Sequence, residues 1–377
     1  MTERHADVVV IGAGIMGVSA AWHLAQRGLH VVLLEQFELG HVRGSSHGPS
    51  RIFRLAYGDV EYVRLAQQAL PRWRDVEKAL GTDLLWTTGG LDIGPLEKLA
   101  PIAAALSAAD VPFELLSRDE LSRRFPAYQV PAEWEAIYQP DAGVTYAGEA
   151  WAGILELARG AGAEVHDNTR ASRLVPESGG VTVETDRGEW RADHAVVTTA
   201  AWSNRLLEPL DLTVPMRVTR EHVAYYTLGD SHPVLPFIIH RPDSPFVFYG
   251  LPNAVATDIK VGEHEAGPEV DPDTRPVIEQ ARFEPVQRLV RSHLPGLSDE
   301  PTATETCLYA MTPDDDFVIE RAGPIILGTG FGGHGYKFGP LMGSVLADLA
   351  QGKPVALGAR FGRRRFAEVG VVRTGAC

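Results

Sequence analysis

The sequence predicts an α/β plus α+β fold: an open parallel sheet flanked by helices, joined to a second, mostly antiparallel β-sheet domain. Three observations predict it. The chain has 377 residues, more than the roughly 250–300 at which a single hydrophobic core stops growing, so two domains are expected. Its first 35 residues read strand, glycine-rich turn, helix, strand, the repeating unit of a parallel sheet. Its middle alternates short β-rich runs with Pro and Gly turns, the pattern of antiparallel strands.

Ala6 to Ile11 is a β-branched run suited to a strand buried on both faces. It leads into Gly12-Ala-Gly14-Ile-Met-Gly17, and Val18 to Arg27 is then rich in helix formers. Gly28 stands where a helix cap falls, and His30 to Leu34 reads as the next strand, ending in Glu35. Gly12 allows the tight turn, Gly14 lets the backbone approach a pyrophosphate, and Gly17 lets helix and strand pack closely. The helix N-terminus offers free N–H groups to phosphate. Glu35, about 20 residues on, suits ribose hydroxyls and repels a 2′-phosphate. Together these features make a Rossmann-like dinucleotide site, which by itself selects neither FAD nor NAD.

The next segment departs from a nicotinamide domain. Gly44-Ser-Ser-His47-Gly-Pro-Ser50-Arg51-Ile-Phe-Arg54-Leu-Ala-Tyr57 is small and polar, suited to a loop against a flat cofactor. Asp193 to Thr199 reads as a strand leading back toward the nucleotide, followed by Ala200, Trp202 and Asn204. Ile325 to Phe338 is a strand running into a glycine-rich turn, and Pro340 to Ala350 a helix. In the second domain, Trp86 to Gly94, Glu221 to Leu228 and Phe246 to Leu251 read as strands, and Leu99 to Ala109 and Pro285 to Leu294 as helices. Cys307 to Phe317, CLYAMTPDDDF, reads as strand, turn and the start of another strand. The blocks 1–83, 145–213 and 315–377 are assigned to the nucleotide domain, 84–144 and 214–314 to the substrate domain.

GSSHGPSRIFR, YGLP (Tyr249 to Pro252), IKVGEH (Ile259 to His264), CLYAMTPDDDF and GFGGHGYKF occur in this order. In them the chain resembles the FAD-dependent amine oxidases typified by monomeric sarcosine oxidase and N-methyltryptophan oxidase, within the D-amino-acid oxidase superfamily. The resemblance runs from about Asp7 to Phe366; Phe366 to Cys377 departs from it and is expected to be a disordered tail. It implies a Rossmann-like FAD-binding domain with FAD bonded covalently through Cys307. A thiolate is the right nucleophile for such a bond, and an electropositive pocket is expected to favour it.

The same resemblance implies cofactor contacts at Gly12, Gly14, Gly17, Glu35, Ser45, Ser46, His47, Arg51, Ala171, Ala200, Trp202, Cys307, Gly332, Gly333, His334, Gly335 and Lys337. Arg54 and Lys337 become clamps for a substrate carboxylate, with Tyr249 in the same pocket. An arginine fork suits planar carboxylate. Lys260, His264, Tyr249 and Arg51 become catalytic candidates. Lys260 corresponds to a lysine associated with oxygen activation, where positive charge favours an anionic oxygen species. Arg51 is a second cation against the flavin, and His47 supports its loop. Lys260 and His264, at period two on one strand, project from one face. The helix from about Pro340 is expected to aim its positive end at the flavin ring.

The function implied is oxidation of a secondary amino acid to an imine, with dioxygen reduced to hydrogen peroxide and the imine hydrolysed. Sarcosine-like N-methyl substrates lead. Pipecolate-like or N-methyltryptophan-like substrates remain open, as do an NAD-dependent dehydrogenase and a non-catalytic flavoprotein. A net charge of -14 argues against nucleic acid or an anionic membrane as partner. The basic run Arg363 to Arg365 is read as a solvated end. Two cysteines make no disulfide framework, the N-terminus lacks a signal-peptide layout, and no apolar run approaches a membrane span. Gly375-Ala376-Cys377 is neither a prenylation box nor a peroxisomal address. A cytoplasmic monomer acting on a small amino acid and dioxygen is expected, with no metal.

Overall fold

The computed structural model describes residues 4–229, 233–253 and 257–366. Two large sheets and one small one carry its strands. The first sheet runs in the order Ala171–Glu177, Gly180–Thr185, Gly188–Val197, Arg4–Ile11, Val31–Leu34, Glu164–His166. Ile325–Thr329 joins it in parallel to Gly188–Val197, and Val318–Ala322 pairs with Ile325–Thr329. Its central strands are parallel, and their Val and Ile side chains are buried on both faces, as helix-covered sheets require.

Helix Ile15–Gln26 follows the first strand without a side-chain cap, because Gly14 stands at the cap position. Nearly all of it is buried, as its Ala- and Leu-rich composition dictates. Helix Gly339–Ala350 lies against it in parallel: a Cβ on Gly339 would fall 2.5 Å from Ile15 Cγ1, and one on Gly343 2.4 Å from Ser19 Cβ. Both helices therefore begin at the same end of the sheet.

The second sheet runs Ala303–Met311, Arg217–Thr227, Asp258–Glu263, Phe248–Pro252, Phe237–Ile239, Gly90–Pro95, Trp134–Gln139, Glu114–Leu116. It is antiparallel except where Phe237–Ile239 meets Gly90–Pro95. Helices Leu96–Ala108 and Glu284–His293 accompany it. The segment read as a loop contains a short strand, Ser50–Phe53, paired with Gly143–Tyr146 in a third, small sheet. The Ile52 and Phe53 side chains favour strand there, and Gly143 permits it, since a Cβ would sit 2.1 Å from the Trp86 carbonyl oxygen.

The basic run is not a solvated end. Arg365 lies on Asp314 and Arg363 on Glu320, and only Arg364 is exposed. Among the described residues no helix is long and apolar enough to cross a membrane, and no cluster of His, Cys, Asp and Glu could hold a metal. The proposed tail beyond Phe366 lies outside the described residues.

Candidate active site

A cavity of about 780 Å³ opens between the parallel sheet and the antiparallel one. All the site residues named from sequence line it except Gly17. Gly17 instead sits beneath the turn, where a Cβ would lie 1.8 Å from the Gly12 carbonyl oxygen. Gly12 has φ +98, open to glycine without strain, and a Cβ there would meet the Thr198 carbonyl oxygen at 2.7 Å. Ser46 reaches across to accept from Ile15 N at 3.0 Å and so caps the first helix from another loop. Glu35 ends its strand with one carboxylate oxygen on Ala13 N at 2.9 Å and the other on Phe37 N at 3.0 Å.

Register places the other wall. Glu221 opposes Cys307, Tyr225 opposes Lys260, Gly262 opposes Tyr249, and Ile238 opposes Tyr249. Directly opposed residues share a face, so Cys307, Lys260 and Tyr249 all look into the cavity from one sheet. Sequence reasoning missed Glu221, Glu305 and Tyr309 on that same face. Tyr309 and Glu305 stand two residues either side of Cys307, so period-two spacing could have found them. His264 follows its strand end and packs edge-on against Tyr249 and Tyr309, with ring centroids 6.3 and 5.4 Å away. Gly333 closes over this pair: a Cβ would lie 2.4 Å from His264 Cε1 and 2.1 Å from Tyr309 Cε2.

The cavity is strongly basic. Arg51 donates to the Ser45 carbonyl at 2.8 Å and to those of Ser50 and His47, tying the GSSHG loop into one turn. Ser45 donates to the carbonyl of Leu308, next to Cys307, at 2.5 Å. Lys260 is 4% exposed and has no hydrogen-bond or ion-pair partner among the described residues. Burial, then the charge of Arg51, lower its pKa to about 8. Burial and then Arg51 also bring His47 down to about 4, and its Nδ1 is buried without a hydrogen-bond partner among the described residues.

Lys337 donates to the Tyr57 hydroxyl at 2.7 Å and to the His334 carbonyl at 2.8 Å. The Arg54 guanidinium lies over the Tyr57 ring, 4.3 Å from its centroid. Tyr57, from the quoted loop but given no role there, therefore joins the two clamps. Burial, then Lys337, hold His334 neutral, well below the usual imidazole range.

Burial raises the Cys307 thiol despite the pull of Lys260 and Arg51. Desolvation outweighs the two cations at this thiol.

A family model described as FAD dependent oxidoreductase (DAO) matches residues 7–349. The chain belongs to that family. Monomeric sarcosine oxidase of Bacillus sp. (strain B-0618) is 32% identical over 365 residues, covering 92% of this chain and 93% of that protein. Peroxisomal sarcosine oxidase of Homo sapiens is 35% identical over 359 residues, covering 91% and 92%. Among solved structures, the open form of NikD, an unusual amino acid oxidase essential for nikkomycin biosynthesis, superposes with a TM-score of 0.87 at 28% identity, covering 96% of this chain and 98% of that one.

As an FAD-dependent oxidoreductase the chain needs a cradle for a flavin dinucleotide, and the residues present fit one. The Gly12 turn, the start of the first helix at Ile15 and Met16, and Glu35 suit the dinucleotide. The unpartnered His47 Nδ1 and the cations Arg51 and Lys260 suit an electron-rich ring. The family sets aside the nicotinamide-dependent reading.

Proposed function

We propose that the chain oxidises the C–N bond of a secondary amino acid, sarcosine-like and N-methylated, to an imine that water converts to amine and aldehyde. The observation that carries this is the meeting of Arg54 and Lys337 at Tyr57, inside the same cavity as Tyr249, His264, Lys260 and Cys307. Two fixed cations on one tyrosine ring call for a carboxylate. The similarity to two sarcosine oxidases supports the substrate class.

FAD held in the cradle would supply the acceptor for a hydride equivalent from the substrate; dioxygen would take up those two electrons with that hydrogen and a second proton, the one lost from the substrate amine, to leave as hydrogen peroxide. The protein's own part is positional and electrostatic. Arg54 and Lys337 fix the carboxylate, so the substrate's C–N bond is presented in one orientation. Tyr249 and His264, packed edge to face, wall off the amine end. Lys260 keeps a positive charge where dioxygen gains electrons. Cys307 is taken as the covalent anchor of the flavin, with the remaining contacts at Gly12, Gly14, Gly17, Glu35, Ser45, Ser46, His47, Arg51, Ala171, Ala200, Trp202, Gly332, Gly333, His334, Gly335 and Lys337.

The reading includes a nucleotide domain of 1–83, 145–213 and 315–377, a substrate domain of 84–144 and 214–314, and a monomer working in the cytoplasm. Ile238, Val247, Leu251 and Phe331 also line the cavity, and these apolar walls favour a second reading, a cyclic or bulkier secondary amino acid. Anaerobic mixing of the holoprotein with N-methyl, cyclic and primary amino acids tests both. Bleaching of the flavin band by secondary amino acids, with peroxide formed on admitting air, is expected. Bleaching by primary amino acids alone, or by none, overturns the proposal.

A further inference from the structure

We infer that Asp92 and His240 form a buried pair that positions Arg54 for its carboxylate ligand. Asp92 lies in the strand Gly90–Pro95, within the antiparallel sheet, and is 4% exposed. Its Oδ1 is 3.0 Å from His240 Nε2 and 4.0 Å from Arg54 Nη1. Arg54 follows the strand Ser50–Phe53 of the small sheet, so the contact joins two sheets at the cavity.

The pair is itself firmly seated. Asp92 opposes Ile238, a cavity-lining residue, across the one parallel junction of that sheet. His240 N donates to the Ile93 carbonyl at 2.8 Å. The His240 backbone presses on Gly94, where a Cβ would lie 2.6 Å from the His240 carbonyl oxygen. Neither Asp92 nor His240 lines the cavity, so neither touches the substrate directly.

The physical need is plain. Arg54 shares the cavity with Arg51, Lys260 and Lys337 among other cations, and cations with little solvent between them repel one another. Arginine also has many rotamers to lose. Its other contacts among the described residues include the Ala56 carbonyl and the Tyr57 ring. A carboxylate fixed by an imidazole offsets the charge and, at 4.0 Å, draws the guanidinium to its side by charge and not through a hydrogen bond, leaving N–H groups to grip a ligand in a fork. Asp92 is thus a positioning residue for the carboxylate-binding step.

This inference rests on the reading of Arg54 as the carboxylate clamp, and the test separates the two. The flavin-loaded protein is titrated with propionate, an unreactive monocarboxylate, while the flavin spectrum is followed. KM and kcat are then measured for the best secondary amino acid found. Asp92→Asn is expected to raise both the propionate Kd and KM by about tenfold, the effect of one lost buried charge contact, with kcat changed less than about threefold. Asp92→Glu should recover part of the loss. If Asp92→Asn fails to hold flavin, His240→Gln is read in the same titration, with a smaller rise in Kd expected. Unchanged Kd and KM in Asp92→Asn, alongside a large rise in Arg54→Ala, overturns the positioning role alone. A fall in kcat and unfolding midpoint with KM and Kd unmoved also overturns it, since it marks a merely structural pair. Unchanged Kd in Arg54→Ala overturns the clamp and this inference with it.

Discussion

Lys260 shows what a single residue contributes. It is a buried ammonium with its pKa lowered to about 8, chiefly by desolvation and then by Arg51. The charged form is therefore present below pH 8 and lost above it. If that charge favours reduction of dioxygen, the rate of flavin reoxidation falls as pH rises through about 8. Lys260→Met should abolish this dependence and slow reoxidation by about 10²-fold, the loss typical of one preorganised electrostatic contact. Reduction of the flavin by substrate should change only a few-fold. Rapid mixing of each half-reaction checks this, and equal slowing of both sinks the role. Cys307 offers a second check. Acid precipitation of the native protein should leave the yellow colour in the pellet, and Cys307→Ser should release it to the supernatant. Both residues were legible in sequence, because their flanking motifs are distinctive. Their electrostatics were not: the Cys307 thiol is raised by burial and pulled back by Lys260 and Arg51, which lie far from it along the chain.

At the scale of elements, local spacing was readable and pairing was not. Period two placed Lys260 and His264 together, and the glycine-rich turn with its helix stood out from the first residues. Nothing in sequence could put Asp92 beside Arg54, or Glu221 opposite Cys307, because register between distant strands is set by the folded sheet. The start of the helix Gly339–Ala350 was placed within one residue, yet its partner was not foreseen. Its glycines allow close parallel approach to Ile15–Gln26, so both helix N-termini face the cavity end and favour negative charge there. Gly343→Ala puts a methyl 2.4 Å from Ser19 Cβ. That overpacking should cost about 1–3 kcal/mol and lower flavin content, read by denaturant midpoint and absorbance. Gly160→Ala, with nothing within 4 Å of the new Cβ, should stay within about 0.5 kcal/mol of the parent.

For the whole molecule, the decisive joint is the turn Pro313 to Asp316, which connects the Cys307 strand of one large sheet to Val318–Ala322 of the other. Three acids in this turn repel one another unless they are paired. Arg365 grips Asp314 in a fork at 2.8 and 3.1 Å, and Arg360 grips Asp316 at 2.6 and 2.7 Å while also meeting Asp59 and Glu61. Asp315 takes φ 58 between them, and its carbonyl faces His334 Nε2 at 3.4 Å. Arg360 and Arg365 therefore hold the turn that backs the cavity. The sequence suggested solvated arginines because their partners lie far back along the chain. Arg360→Ala leaves Asp316, a residue only 6% exposed, without its charge partner. Breaking a fully buried pair costs about 3–5 kcal/mol, and Arg360 keeps about a quarter of its side chain in water, so a loss of about 2 kcal/mol is expected. If the cost is the stranded carboxylate, adding Asp316→Asn to Arg360→Ala should recover part of it, and high salt should narrow the gap from the parent. A double variant no more stable than Arg360→Ala would show that the arginine acts through packing on Tyr62 and Phe361 and not through charge.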